Sequence, residues 1–308
     1  MIRQLLLAAA LTYGSGVFAA PLQQKTTAPA PAAPPLSTPH LGAPIDLAFS
    51  AYQSGDFAKA MREANARLAA NPADAAATIL IGRMYAEGAG VRRDVKESQS
   101  WFRRAADLGD AQGAYVYAAS LLANSPGPSE RKTAQDYLEK AAAQSHAASY
   151  NLLGELSLEN NGAFADYERA AGYFRHGADL GDDDARYALG EMYKHGKGVA
   201  KDSSEAARWF DLAAQDGHAG AMIELAILKF NGVGVERDEA GAAKLLVKAA
   251  GQGNAVAQNR LAYLYTEGKG VEKDLAKAQQ WRERAVKSGL KDEALDRLIA
   301  DHAAAKRP

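Results

Sequence analysis

Apolar positions in this chain recur at a fixed interval of 36 residues. One large apolar side chain marks each interval, and no insertion interrupts the series. These side chains belong to Trp101, Tyr137, Tyr173, Trp209, Leu245 and Trp281. A period between 20 and 50 residues is typical of stacked supersecondary units rather than of one closed core. The pattern therefore predicts an all-α chain with six 36-residue repeats over 75–290.

The repeat at 183–218 shows the apolar pattern of one unit. Leu189 and Met192 lie at helical spacing and predict the apolar face of a first helix. Gly190 lies between them, where the missing side chain would let a neighbouring helix come close. The segment beginning at Gly196 then supplies the glycines that a sharp reversal needs. The first half of each unit is thus predicted to be a helix that ends at a glycine turn.

A second helix is predicted after this turn. Asp202 would be its N-cap, and Glu205 would complete a capping box three residues later. The predicted buried stripe of this helix comprises Ala206, Trp209, Phe210, Ala213 and Ala214. Each repeat is therefore predicted to be an antiparallel pair of helices, each about 13 residues long.

The turn reads G-x-G-V-x-x-D in four of the six repeats, beginning at Gly88, Gly196, Gly232 and Gly268. Combined with the tryptophan and alanine positions, this pattern resembles the Sel1-like repeat family, which is related to tetratricopeptide repeats. The resemblance implies a right-handed α-solenoid of stacked antiparallel helix pairs. It also implies a role in binding other proteins.

Two flanking segments extend the array. Residues 41–74, with Tyr52 and Gly55, resemble one tetratricopeptide-like unit. Residues 291–308 predict a polar closing helix and a tail, because a stack must cover its last apolar face.

Two repeats lack the regular turn, at 124–130 and at 160–166. Several turn sequences satisfy such a position, so drift is one explanation. Contact with a partner is the other.

The first residues predict export. Arg3, an apolar run and Ala19 have the arrangement of a cleaved secretory signal at 1–19. Residues 20–43, rich in Ala, Pro and Thr, predict a disordered linker. The chain has no Cys, as suits an oxidising compartment. We therefore expect a periplasmic protein, with secretion as the alternative.

Composition and motifs argue against several functions. The net charge of −1 does not suit nucleic-acid binding. After residue 20 no apolar run is long enough to span a bilayer. The six histidines form no short metal-ligand spacing, and no G-x-S-x-G sequence occurs. We expect neither a cofactor nor a metal, and no catalytic residue. A monomer that binds another protein is predicted.

A contact face follows from the repeat register. On the first helix of the repeat at 183–218, the side opposite Leu189 carries polar and aromatic residues, and steps of 36 residues give the matching positions. The predicted contact residues are Tyr115, Asn151, Glu155, Tyr187, Glu191, Lys194, Asn259 and Tyr263. Stacking would place them on the concave face, although some of the tyrosines would equally serve to pack neighbouring repeats.

Three hypotheses follow for the function. The first is a non-enzymatic periplasmic adaptor whose partner is a receptor ectodomain, an envelope complex subunit or a peptide. The resemblance implies that such an adaptor would regulate envelope signalling or exopolysaccharide production. The second is a structural scaffold of a cell-envelope or polysaccharide-export assembly. The third is a β-lactam-binding or hydrolysing enzyme, as proposed for cysteine-rich relatives, whose Cys pairs are missing from this chain.

Overall fold

The structure is a computed structural model that describes residues 46–123, 126–159 and 165–305. These three ranges contain fifteen helices and no strand, so the all-α prediction is confirmed. The helices are α1 Leu47–Gln53, α2 Phe57–Ala70, α3 Ala75–Glu87, α4 Val95–Asp107, α5 Ala111–Leu122, α6 Pro128–Ala142, α7 Ala147–Leu158, α8 Tyr167–Asp179, α9 Asp183–His195, α10 Ser203–Gln215, α11 Ala219–Asn231, α12 Glu239–Gly251, α13 Ala255–Glu267, α14 Leu275–Lys287 and α15 Glu293–Ala304.

The chain divides into two compact units between residues 164 and 165. The described helices α1–α7 belong to one unit, and α8–α15 belong to the other. Within each unit every helix packs chiefly against the helices that precede and follow it along the chain. This is the stacking of helix pairs that defines an α-solenoid. The first helices of the six repeats are α3, α5, α7, α9, α11 and α13, and the second helices are α4, α6, α8, α10, α12 and α14.

The core of a repeat is built from the residues that the periodicity selects. Leu189 and Met192 on α9 are fully buried. The predicted stripe of α10 is also confirmed, because Ala206, Trp209, Phe210, Ala213 and Ala214 are all buried. Gly190 lies against Phe210, where an added Cβ would be 2.6 Å from the ring carbon Cε1. The two helices can therefore approach closely only because position 190 has no side chain.

The turn between α9 and α10 has the predicted glycine geometry. Gly196 and Gly198 have φ angles of 67° and 68°, in the left-handed region that favours glycine. Asp202 caps α10 by accepting hydrogen bonds from the N–H groups of Ser204 and Glu205. The predicted capping box does not form: the Asp202 N–H donates to the Tyr193 carbonyl at 3.0 Å, and the Glu205 carboxylate pairs with Arg208 at 3.1 Å.

A buried arginine holds the closing helix α15. Arg282 on α14 is 5% exposed and occupies the register position of Phe210 and Leu246. Its guanidinium donates to both carboxylate oxygens of Asp296, at 2.6 and 2.9 Å. It also donates to the Leu290 carbonyl at 2.9 Å. The prediction of a polar closing helix holds for α15, but part of its attachment is a hydrogen-bonded cluster where the other repeats have an apolar contact.

Several predicted segments lie outside the described residues. They are the signal at 1–19, the linker at 20–43, the first residues of the tetratricopeptide-like unit, parts of both divergent turns (124–125 and 160–164), and residues 306–308 of the tail. Beside the divergent turns, Arg131 donates to the Pro126 carbonyl at 3.2 Å and forms an ion pair with Glu159. Whether these turns meet a partner stays a prediction.

Candidate partner-binding face

The eight predicted contact residues lie on the first helices of four repeats. In the unit of α1–α7 they are Tyr115 on α5 and Asn151 and Glu155 on α7; in the unit of α8–α15 they are Tyr187, Glu191 and Lys194 on α9 and Asn259 and Tyr263 on α13. Half of them are partly exposed, namely Tyr115, Glu155, Tyr187 and Lys194. The other half, Asn151, Glu191, Asn259 and Tyr263, are at most 8% exposed.

A row of charged side chains joins α9 to α11. Lys194 Nζ lies 3.2 Å from Glu191 Oε1 on its own helix and 2.6 Å from Glu224 Oε2 on α11. His195 Nε2 lies 3.4 Å from the second oxygen of Glu191. The row Glu191–Lys194–Glu224 therefore fixes a lysine ammonium between two carboxylates on neighbouring first helices.

The electrostatics of this row keep Lys194 and Glu191 ionised. Burial alone would lower the pKa of Lys194, but Glu224 and Glu191 outweigh it and raise that pKa. Burial alone would raise the pKa of Glu191, but the hydrogen bond from His195 and the charge of Lys194 lower it. A partner that approaches α9 at neutral pH meets a preformed arrangement of full charges.

Contacts with histidine rings hold the two tyrosines at the fifth position of their helices. The ring of Tyr187 lies 4.6 Å from the ring of His218, with 25° between their planes, and 5.7 Å from the Phe210 ring. In the other unit, the ring of Tyr115 lies 4.9 Å from His146. Each tyrosine packs between successive repeats and still keeps part of its surface exposed. Both roles foreseen for these tyrosines are compatible with this geometry.

On α13 the predicted contact residues are engaged within the chain. Asn259 is 2% exposed, donates to Asp292 Oδ2 at 2.8 Å and accepts from Arg282 at 3.2 Å. The hydroxyl of Tyr263 accepts from Lys269 at 3.0 Å. Asn259 thus helps to attach α15 and presents almost no surface to a partner.

On α7 the amide of Asn151 lies 3.4 Å from Glu155 Oε1. Asn151 is buried and Glu155 is partly exposed. The Glu155 carboxylate is therefore partly accessible, and the Asn151 amide donates to it from the buried side.

Sequence reasoning missed three charged residues, Glu224, Arg260 and Arg282. Each stands at a register position where other repeats have an apolar residue. Glu224 and Arg260 match Leu80, and Arg282 matches Phe210. Arg260 is 7% exposed, and burial lowers its pKa while the charge of Glu224 opposes that effect. Comparing the charge at each register position across the repeats would have found all three.

Asp182, the N-cap of α9, gives a pH-dependent prediction. Burial raises its pKa from 3.8 to about 6; Asp184 and Asp183 add to this effect, and the hydrogen bond from the Ala185 N–H opposes it. The folded chain therefore binds more protons than the unfolded chain between these two values. Its free energy of unfolding should fall as the pH rises through this window.

We expect Asp182→Asn to raise the free energy of unfolding at pH 7 by about 1–2 kcal/mol. Asn254 already caps α13 at the matching position by accepting from Ala257 at 3.1 Å, so the acceptor is retained. The lost attraction between the carboxylate and the helix dipole offsets part of the gain. Urea unfolding at pH 7 and at pH 4 measures the effect. An equal gain at pH 4 would contradict the electrostatic cause.

Among the described residues, no three His, Asp or Glu side chains are arranged to hold a metal ion. A surface depression of about 360 Å³ is lined by Tyr265, Val271, Glu272, Lys273, Asp274 and Lys277. Its charged groups serve the fold, since Asp274 caps α14 and Lys273 contacts His302 at 2.9 Å.

None of the helices in the described ranges has the length and apolar character that a membrane span requires.

The six repeats match a known repeat family. The Sel1 repeat profile matches residues 75–110, 114–146, 147–182, 183–218, 219–254 and 255–290. This chain belongs to the Sel1 repeat family. Sel1 repeats form a non-enzymatic scaffold, and proteins built from them bind other proteins.

Two solved structures place this Sel1 repeat protein among bacterial relatives. It is 27% identical to a Sel1 repeat protein of Oxalobacter formigenes, with a TM-score of 0.69 over 78% of this chain and 98% of that one. It is also 27% identical to c5321, a protective antigen of uropathogenic Escherichia coli strains that displays an SLR fold, with a TM-score of 0.66 over 75% of this chain. The match covers 49% of the length of c5321. None of the curated proteins matches the chain significantly.

Proposed function

We propose that this Sel1 repeat protein is a periplasmic adaptor that binds another protein through the first helices of its repeats. The observation that carries the proposal is the row Glu191–Lys194–Glu224 beside Tyr187. It combines ionised groups held in fixed positions with a partly exposed aromatic ring. Aromatic residues are enriched in the core of protein interfaces, and polar groups form the rim around that core.

The partner class follows from the chemistry of this surface. The row carries one positive and two negative charges, and Tyr187 supplies an apolar ring with a polar tip. A folded ectodomain or a peptide with a basic residue next to an apolar one would complement it, because opposite potentials steer association. The family resemblance adds the envelope setting, so we propose a regulator of envelope signalling or exopolysaccharide production.

Export is part of this proposal. The expected cut after Ala19 removes the positively charged start and the apolar run. Expression of the full chain in a Gram-negative host should yield a periplasmic protein that begins at Ala20. Fractionation and intact mass would check this, and a protein that keeps residues 1–19 in the cytoplasm would contradict it.

Photo-cross-linking tests the contact face. We expect a photoreactive phenylalanine analogue at position 187 to capture a partner at least about tenfold more strongly than the same analogue at Arg208. The expectation follows from the clustering of binding energy in a few central residues of an interface. Arg208 is a matched control, because it is exposed on α10, the second helix of the same repeat.

Equal capture at both positions would overturn the assignment of the face. Identification of the captured chain also separates the two non-enzymatic hypotheses. A scaffold would give the same complex in all conditions, whereas a regulator would release or gain its partner when the signal changes.

A further inference from the structure

The first helices of the six repeats differ in the residue that occupies the N-cap position. These N-caps are Asp74, Asp110, His146, Asp182, His218 and Asn254. Each histidine is the last residue of a repeat whose first helix has tyrosine at its fifth position. The tyrosines are Tyr115 and Tyr187, 31 residues before each histidine. In repeats where the N-cap of the following first helix is Asp or Asn, the fifth position of the first helix is Ile or Asn. Tyrosine and histidine therefore occur together.

The ring of His218 has to be neutral to make its contacts. Its Nδ1 accepts the N–H of Ala221 at 2.9 Å, and a backbone N–H can only donate. The ring proton therefore lies on Nε2, which faces Asp184 Oδ1 at 3.3 Å. Protonation of Nδ1 would break the cap and place a positive charge at the N-terminus of α11, where the helix dipole disfavours it.

The ring of His146 is enclosed by uncharged polar groups. Its Nδ1 lies 3.0 Å from the Ser149 hydroxyl on α7, and its Nε2 lies 3.1 Å from Gln112 Oε1 on α5. Burial lowers the pKa of His146, and the charge of Asp110 opposes that effect. Neutral imidazole is thus the form that this site accommodates near pH 7.

We propose that His146 and His218 make the contact positions Tyr115 and Tyr187 sensitive to pH. Each histidine ring is in contact with one of these tyrosine rings, so a charge on the histidine alters the support of the tyrosine. This inference rests on the proposed function, because it assumes that Tyr115 and Tyr187 touch a partner. It assigns regulation of that site to the junctions between repeats.

The charged groups around the two rings set the direction. Asp183 and Asp184 on α9 face His218, and Asp110 precedes α5 near His146. These carboxylates attract a positive charge on the nearby ring. The positive end of a helix dipole repels such a charge at both sites. Burial adds to this repulsion at His146, and at His218 the hydrogen bond from Ala221 requires an unprotonated nitrogen. We therefore expect acid to loosen the first turns of α7 and α11 without unfolding the chain.

Hydrogen exchange at pH 7 and pH 5.5 measures the loosening, with rates corrected for intrinsic exchange. If the folded His146 ring stays neutral, the opening equilibrium of residues 147–150 rises about eightfold, because an open ring titrates near pH 6.5. Protection at residues 219–222 should fall as the Ala221 hydrogen bond is lost. The control variant His146→Asn/His218→Asn copies Asn254 and should lose the pH dependence at both helices.

The same pH dependence in the double variant would overturn the proposal. If the double variant is unfolded at pH 7, the variant His146→Asp/His218→Asp, which copies the N-caps Asp74 and Asp110, is used in its place. A second arm repeats photo-cross-linking at position 188, beside Tyr187, at both pH values. Capture that falls at pH 5.5 in the wild type and not in the double variant supports the coupling, and equal pH dependence in both refutes it. Failure to capture any partner at pH 7 would count against the proposed function, whereas exchange would still test the histidines.

Discussion

Replacing Arg282 by Ala is expected to release α15 and to lower the free energy of unfolding of its unit by about 3–5 kcal/mol. The loss has two sources. The Asn259 oxygen and the Leu290 carbonyl, which Arg282 satisfies, would be left in the interior, and each such group costs about 1–3 kcal/mol. The ion pair to Asp296 contributes less, because that carboxylate is 52% exposed.

Hydrogen exchange locates the effect and urea unfolding measures its size. Residues 293–304 should lose protection, while the helices α9 and α10 keep theirs. Arg297→Ala is the matched control, since Arg297 is 77% exposed and pairs with Glu293 within α15 at 3.4 Å. We expect the control to change stability by less than about 1 kcal/mol.

A second variant separates the polar attachment from simple filling of the core. Arg282→Leu restores the residue type of Leu246 at this register position. It should pack against the repeat and still leave both carbonyl oxygens without a donor. A closing helix that stays as well protected as in the wild type would show that apolar burial, through Leu295 and Ile299, is sufficient to hold it.

The cluster around Arg282 shows where sequence reasoning stopped. The 36-residue period predicted the helix pairs, the turn at Gly196 and the buried stripe of α10, because each is determined by spacing within one repeat. The contacts of Arg282 join three successive helices, α13, α14 and α15, and depend on how the closing helix packs after the last repeat. The repeat spacing does not predict such a contact. It does show that Arg282 stands where other repeats have Phe or Leu.

The candidate face was predicted only in part for a related reason. The register correctly placed Tyr187, Glu191 and Lys194 on one helix. It could not show that Glu224 on α11 would complete their charge row, since the first helices lie side by side only after stacking. Nor could it show that α15 would bury Asn259. Neighbours from adjacent repeats decide whether a residue of this face is exposed.

The register also explains how the repeats exchange residues without losing their packing. Glycine at the eighth position of the first helix accompanies phenylalanine twenty residues later, as in the pairs Gly82–Phe102 and Gly190–Phe210. Alanine at the same position accompanies leucine in the pair Ala226–Leu246 and arginine in the pair Ala262–Arg282. The chain therefore contains two solutions to one packing problem, and each keeps the sum of the two side-chain volumes nearly constant.

Exchanging the Gly–Phe pair for the Ala–Leu pair one residue at a time should produce the second large change in the free energy of unfolding. In Gly190→Ala the new Cβ would lie 2.6 Å from the fully buried ring of Phe210. Overpacking costs about 1–3 kcal/mol, and the better helix propensity of Ala returns at most about 1 kcal/mol. Phe210→Leu alone leaves a cavity beside Gly190; its cost should be below the roughly 3–5 kcal/mol of a Phe→Ala change.

The double variant Gly190→Ala/Phe210→Leu copies Ala226–Leu246 and should recover most of both losses. The expected coupling energy in the double-mutant cycle is about 1–3 kcal/mol in favour of the double variant, which urea unfolding of all four proteins would measure. Gly172→Ala is the control, because a Cβ at that exposed position of α8 meets nothing within 4 Å. It should gain stability from helix propensity alone. Losses that simply add in the double variant would mean that the close approach at Gly190 does not determine which residue pairs a Sel1 repeat accepts.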